Sequence, residues 1–100
     1  MASAKEKLSE QQLQQILTDL PEWKIEDGEL VRDWLLPTFP EAIAFVKRVA
    51  HYAEDAQHHP DIDIRYNRVR LALVTHDAGG ITQRDIQMAR LLSAELHMVP

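Results

Sequence analysis

Residues 54–77 read EDAQHHPDIDIRYNRVRLALVTHD, and the patterns inside this one stretch decide the fold. Ile62, Ile64 and Tyr66 alternate with Asp63 and Arg65, the period-two signature of a strand with two unlike faces. Asn67 suits a tight turn. Val69, Leu71, Leu73 and Thr75 then alternate with Arg68, Arg70, Ala72 and Val74, so a second strand is expected to pair with the first. At the front of the stretch, Pro60 pushes the residue before it out of the α region, so a helix entering here should stop at His58-His59-Pro60. At the back, the strand is expected to lead directly into His76.

Working outward, Thr38, Pro40 and Glu41 combine an N-cap, a proline in the first turn and a glutamate three after the cap. That start opens the longest helix, which should run to about Gln57. Phe39, Ala42, Ile43, Val46, Val49, Ala50 and Ala53 are expected to form its buried stripe, with Phe45 to one side. Before it, Trp23 and Ile25 alternate with Lys24 and Glu26, and Asp27-Gly28 supplies a type I′ turn into residues 29–36: a β-hairpin. Both faces of its second strand carry apolar residues, so the face of Val31 and Leu35 is expected to meet another subunit. Ser9-x-x-Gln12 is a capping box ahead of Leu13, Ile16, Leu17 and Leu20, predicting a first helix over 9–19. Thr82 should cap a last helix over 83–96, with Ile86, Ala89, the stem of Arg90, Leu92 and Leu96 facing inward.

The order is α-β-β-α-β-β-α. Strands arriving in hairpin pairs between helices imply an α+β fold, a four-stranded antiparallel sheet with helices packed on one face. One hundred residues make one domain, with residues 1–8 expected to fray. A net charge of −5 without a Lys/Arg cluster argues against nucleic acid as a direct partner. No apolar run approaches eighteen residues and no basic-then-apolar leader is visible, so a cytoplasmic protein without membrane contact is expected. Zero cysteines exclude disulfides, thiolate catalysis and cysteine-based zinc sites.

Chemistry therefore falls to the histidines. His58, His59 and His76 could form one cluster, with Glu54 one helical turn from His58 and placed to orient it. Such a cluster can supply one ring as acid and another as base, which suits loss or addition of water. Three imidazoles could also hold Zn²⁺, but adjacent histidines rarely converge on one ion, so no metal is expected. By spacing alone, a histidine pair at a helix end is more often a solvated terminus. His51 and His97 should lie at the surface. Trp23 and Trp34 are core or interface residues by default, and Arg65, Arg68 and Arg70 a solvated strand face.

The spacing Glu54-x₃-His58-His59-Pro60-x₅-Tyr66-x₉-His76-x₈-Asp85 resembles the signature of the pterin-4a-carbinolamine dehydratases. The likeness extends through Trp23, the helix segment from Phe45 to Ala50, Tyr66-Asn67, Thr75-His76, Gly80 and Arg84-Asp85-Ile86, nearly the whole chain. It implies a four-stranded antiparallel sheet covered by helices, and dehydration of 4a-hydroxytetrahydropterin to quinonoid dihydropterin. Pterin is then a substrate, with no metal or organic cofactor, and an aromatic amino-acid hydroxylase is the implied partner pathway. His58, His59 and His76 become the expected catalytic cluster, and Glu54, Gln57, Thr75, Asp77 and Trp23 the expected substrate-binding set. A homodimer or homotetramer is expected. Relatives of this family in animals also serve as dimerisation partners of a transcription factor, which supplies the competing role. Gln57 departs from the pattern, since family members often carry an acidic residue directly before the histidine pair.

Overall fold

The computed structural model describes residues 6–96. Its elements are α1 (Glu10–Leu17), β1 (Lys24–Glu26), β2 (Glu29–Leu35), α2 (Phe39–Ala56), β3 (Asp61–Arg65), β4 (Arg68–Leu73) and α3 (Gln83–Glu95), with a 3₁₀ turn at His76–Ala78. The strands form one antiparallel sheet in the order β1-β2-β4-β3. The fold expected from the sequence is the one observed.

Local chemistry explains the element ends. Ser9 and Gln12 cap α1 reciprocally, and the Thr38 hydroxyl accepts from Glu41 N at 3.2 Å to start α2. Each such cap stabilises its helix by about 1 kcal/mol. Asp27 and Gly28 both take positive φ, 52° and 78°, as a type I′ turn demands. Tyr66 takes the positive φ between β3 and β4, and Asn67 closes the turn region by exchanging bonds with the Leu36 backbone.

The covered face of the sheet is set by register. Leu30 pairs with Leu73 and Trp34 with Val69, so the two central strands present one apolar surface to α2 and α3. Trp34 anchors it, edge-on to Trp23 at 5.7 Å and tilted on Phe45 at 5.0 Å. Aromatic pairs of this kind contribute about 0.5–1.5 kcal/mol beyond the area they bury. Arg32 faces the same side; its guanidinium lies 4.3 Å over the Trp34 ring and donates to Ser93, and burial lowers its pKa. β3 is an edge strand beyond the helical cover, so Ile62 and Ile64 stay partly exposed although they pair with Leu71 and Val69.

Two expectations about helix faces are corrected. Phe45, expected to one side of α2, is buried with Ala42, Val49 and Ala53, whereas Phe39, Ile43 and Ala50 are exposed. The apolar stripe of α2 is wider than the sheet can cover, and the sheet takes its Phe45 side. In α3, Arg90 is exposed and Met88 fills the inner face instead. Residues 1–8 were expected to fray. Residues 1–5 and His97 lie outside the described residues, but Leu8 is buried and its N–H donates to the Ile81 carbonyl at 2.9 Å. Among the described residues, no helix is long and apolar enough to cross a membrane.

Candidate active site

The end of α2, the exit from β4 and the first turn of α3 meet around a cleft of about 320 Å³. His58, His59 and His76 all line it, together with Gln57, Thr75 and Asp77; Val74 and Arg84 complete the wall. The three histidines expected to cluster therefore share one cleft. Trp23 does not: it is a core residue whose indole N–H donates to Ser93 Oγ at 2.9 Å. His51 is exposed on α2, next to Asp55.

How α2 ends decides where the histidine pair points. The helix stops at Ala56, earlier than Pro60 alone would require, because Gln57 adopts the left-handed conformation with φ 53° and ψ 41°. For a residue with a side chain this costs about 1–2 kcal/mol. Gln57 is held there by backbone and side chains together: the His58 N–H donates back to the Ala53 carbonyl at 3.1 Å, the Gln57 Nε2 donates to the Glu54 carbonyl at 2.7 Å, and Arg84 Nη2 donates to the Gln57 carbonyl at 2.9 Å. A carboxylate at 57 could not donate to that helix carbonyl.

Beyond this reversal the two rings part. His58 turns inward and its Nε2 lies 2.5 Å from Asp85 Oδ1. His59 faces outward and its Nε2 lies 2.5 Å from Glu54 Oε2. The expectation that Glu54 orients His58 is thus corrected: the left-handed residue rotates His58 away, and the carboxylate one turn back meets His59.

Asp85 is fully buried and its hydrogen bonds run in one direction. Arg84 N–H donates to Thr82 Oγ1; Thr75 Oγ1 donates to Asp85 Oδ2 at 2.9 Å, and Thr82 N–H donates to the same oxygen at 2.8 Å. The Thr75 proton is committed, so across the 2.7 Å contact between the two hydroxyls Thr82 must donate to Thr75. Both carboxylate oxygens are acceptors in this network, which makes His58 Nε2 the donor and leaves Nδ1 without the proton in the neutral ring.

His76 was expected at the end of the fourth strand. It opens the 3₁₀ turn instead: β4 ends at Leu73, and Thr75 pairs back to Gly80 through N–H to carbonyl at 3.0 Å. Gly79 closes the turn at φ 75°. This pins the peptide before His76 while its ring, exposed, has no side-chain partner among the described residues. Asp77 follows it at the cleft rim.

Asp85, Thr82 and Arg84 received no role at the site from the sequence, although Asp85 closes the quoted signature and Thr82 was expected as the cap of the last helix. Thr82-x-x-Asp85 is a capping box, and the same carboxylate that caps α3 also holds His58. Among the described residues, no three His, Asp or Glu side chains come together as a ligand set. A larger concavity of about 520 Å³ lies on the open face of the sheet, away from the histidines. Two of its three arginines are paired with carboxylates: Arg65 with Asp63, which raises the Arg65 pKa, and Arg70 with Glu26 and Asp33.

Comparison with known proteins identifies the family. The family model described as pterin 4 alpha carbinolamine dehydratase matches residues 6–94. A protein of Chloroflexus aurantiacus, provisionally named a pterin-4-alpha-carbinolamine dehydratase, is 58% identical over 83 residues, covering 83% of this chain and 89% of its own. One of Thermomicrobium roseum with the same provisional name is 52% identical over 87 residues, covering 87% and 94%. A crystal structure described as a transcriptional coactivator/pterin dehydratase from Brucella melitensis superimposes with a TM-score of 0.83 at 35% identity, covering 89% of this chain and 97% of that one. With a family match spanning almost the whole described chain and the signature histidines gathered on one cleft, the chain belongs to the pterin 4 alpha carbinolamine dehydratase family.

Proposed function

We propose that this protein dehydrates 4a-hydroxytetrahydropterin to quinonoid dihydropterin. The C4a–O bond breaks as the hydroxyl takes up a proton and leaves as water, while N5 gives up its proton to a base. The observation that carries this reading is the division of labour within one cleft: two adjacent histidines, each on a different carboxylate, with a third opposite them. His58, donating Nε2–H to Asp85, offers Nδ1 as the base. His59 is the acid, with Glu54 as counter-charge when the ring carries its second proton. His76 has no side-chain partner among the described residues and meets the substrate, and backbone groups of residues 75–77 match the donors and acceptors of the pterin amide edge. The reaction needs no metal or organic cofactor, because acid and base are both supplied by the chain.

Single His58→Ala, His59→Ala and His76→Ala variants test the assignment by stopped-flow decay of 4a-hydroxytetrahydropterin. Each is expected to lose about 10²–10⁴ in rate. Full activity in all three overturns the site. The coactivator wording attached to the Brucella melitensis structure favours a second reading, a co-regulator acting through self-assembly. Exposed Leu35 and Phe39, the latter stacked on Tyr66 at 6.4 Å, support a homodimer or homotetramer under either reading. Wild-type chain that leaves the decay rate unchanged would favour the co-regulator.

A further inference from the structure

The first turn of α3 grips two consecutive residues of the α2 exit. Arg84 donates to the Gln57 carbonyl, and the next residue, Asp85, takes the His58 ring. Between them runs the peptide whose direction sends His58 inward and His59 outward. Gln57 has no glycine-like freedom to hold its left-handed turn unaided. The His58 N–H and the Gln57 side chain fasten the turn to α2 through the Ala53 and Glu54 carbonyls, and among the described residues only Arg84 fastens the Gln57 carbonyl across to α3.

We propose that Arg84 is a positioning residue of this cleft: by holding the carbonyl of left-handed Gln57 it fixes the 57–58 peptide, and with it the opposed presentation of His58 and His59. The guanidinium suits the task. Its fork donates in a fixed plane, and a charged donor to a carbonyl makes a stronger bond than a neutral one. The glutamine at 57 belongs to the same device. An acidic side chain there would give up its bond to the Glu54 carbonyl and offer Arg84 a carboxylate in place of the backbone oxygen.

The kinetic consequence rests on the dehydratase reading; the structural one does not. Arg84→Ala and Arg84→Lys are compared with wild type by melting, by stopped-flow dehydration and by ¹⁵N NMR of the imidazoles. With the fold retained, Arg84→Ala should shift the His59 and His58 ring signals and lower kcat about tenfold while KM changes less than twofold, and Arg84→Lys should recover part of both. Unmoved ring signals, or a KM rise with kcat intact, overturn the positioning role; the latter makes Arg84 a substrate contact. If Arg84→Ala does not fold, Arg84→Lys and Gln57→Glu give the same readouts. Absence of dehydration in the wild type, with ring signals still shifted by Arg84→Ala, fails the dehydratase reading and keeps the positioning role.

Discussion

His58 and His59 are neighbours in the chain and opposites in surroundings. The His58–Asp85 pair is buried at the start of α3, with the carboxylate wholly inaccessible, whereas side-chain exposure is 56% for His59 and 70% for Glu54. Each pair brings a ring nitrogen within 2.5 Å of a carboxylate oxygen. What differs is how many other groups depend on the carboxylate. Asp85 also satisfies Thr75 and the N-cap amide of α3, so its position is fixed by three elements at once. Glu54 has one ring and water around it. A buried network sets geometry and tautomer; an exposed pair sets charge and can exchange protons with solvent.

The strongest way to break this contrast is at Asp85. Asp85→Ala strands a buried imidazole, a hydroxyl and an N-cap amide, and should destabilise the protein by about 3–5 kcal/mol in urea titration, with activity lost. Asp85→Asn is more discriminating. Its amide oxygen can keep Thr75 and Thr82, but its NH₂ must then donate to His58 Nε2, which moves the ring proton to Nδ1 and removes the base. A folded protein with dehydration reduced by about 10²–10⁴ is expected; near-normal turnover would reverse the assignment of His58. Next in size is Thr75→Val, which removes the hydroxyl linking Thr82 to Asp85 and keeps the shape. A loss of about 1–3 kcal/mol is expected, and a loss near zero would mean the carboxylate does not need that donor.

The same contrast explains what could be read from the chain. Alternation over Val69–Leu73, the Asp27-Gly28 turn and the caps at Ser9, Thr38 and Thr82 report on neighbours a few residues away, and these gave the elements and their order. The three histidines were legible through spacing. Their partners were not, because the Gln57 reversal is a tertiary choice. A glutamine has no preference for left-handed backbone strong enough to announce it, and without it the i, i+4 rule assigns Glu54 to His58. Asp85 was hidden differently: a carboxylate three after a threonine is fully explained as a helix cap, and its second use depends on where β4 delivers Thr75. Phe45 displaced Phe39 and Ile43 for a similar reason, since helical periodicity finds an apolar stripe but not which edge of it the sheet will cover.

Glu54→Gln sharpens the comparison from its exposed side. An ion pair this open to water contributes little to stability, about 0–1 kcal/mol, and the amide can still hydrogen-bond the ring, so melting should barely move. The counter-charge for a protonated His59 is gone, however, and turnover should fall about tenfold or more if His59 is the acid. Salt gives an independent reading. Raising ionic strength screens Glu54 from His59 in the wild type but cannot reach Asp85, so wild-type turnover should drift toward that of Glu54→Gln while the stability conferred by Asp85 is unchanged. A variant that loses stability and activity together, as Asp85→Ala is expected to do, would place Glu54 in the structural network and erase the distinction between the two pairs.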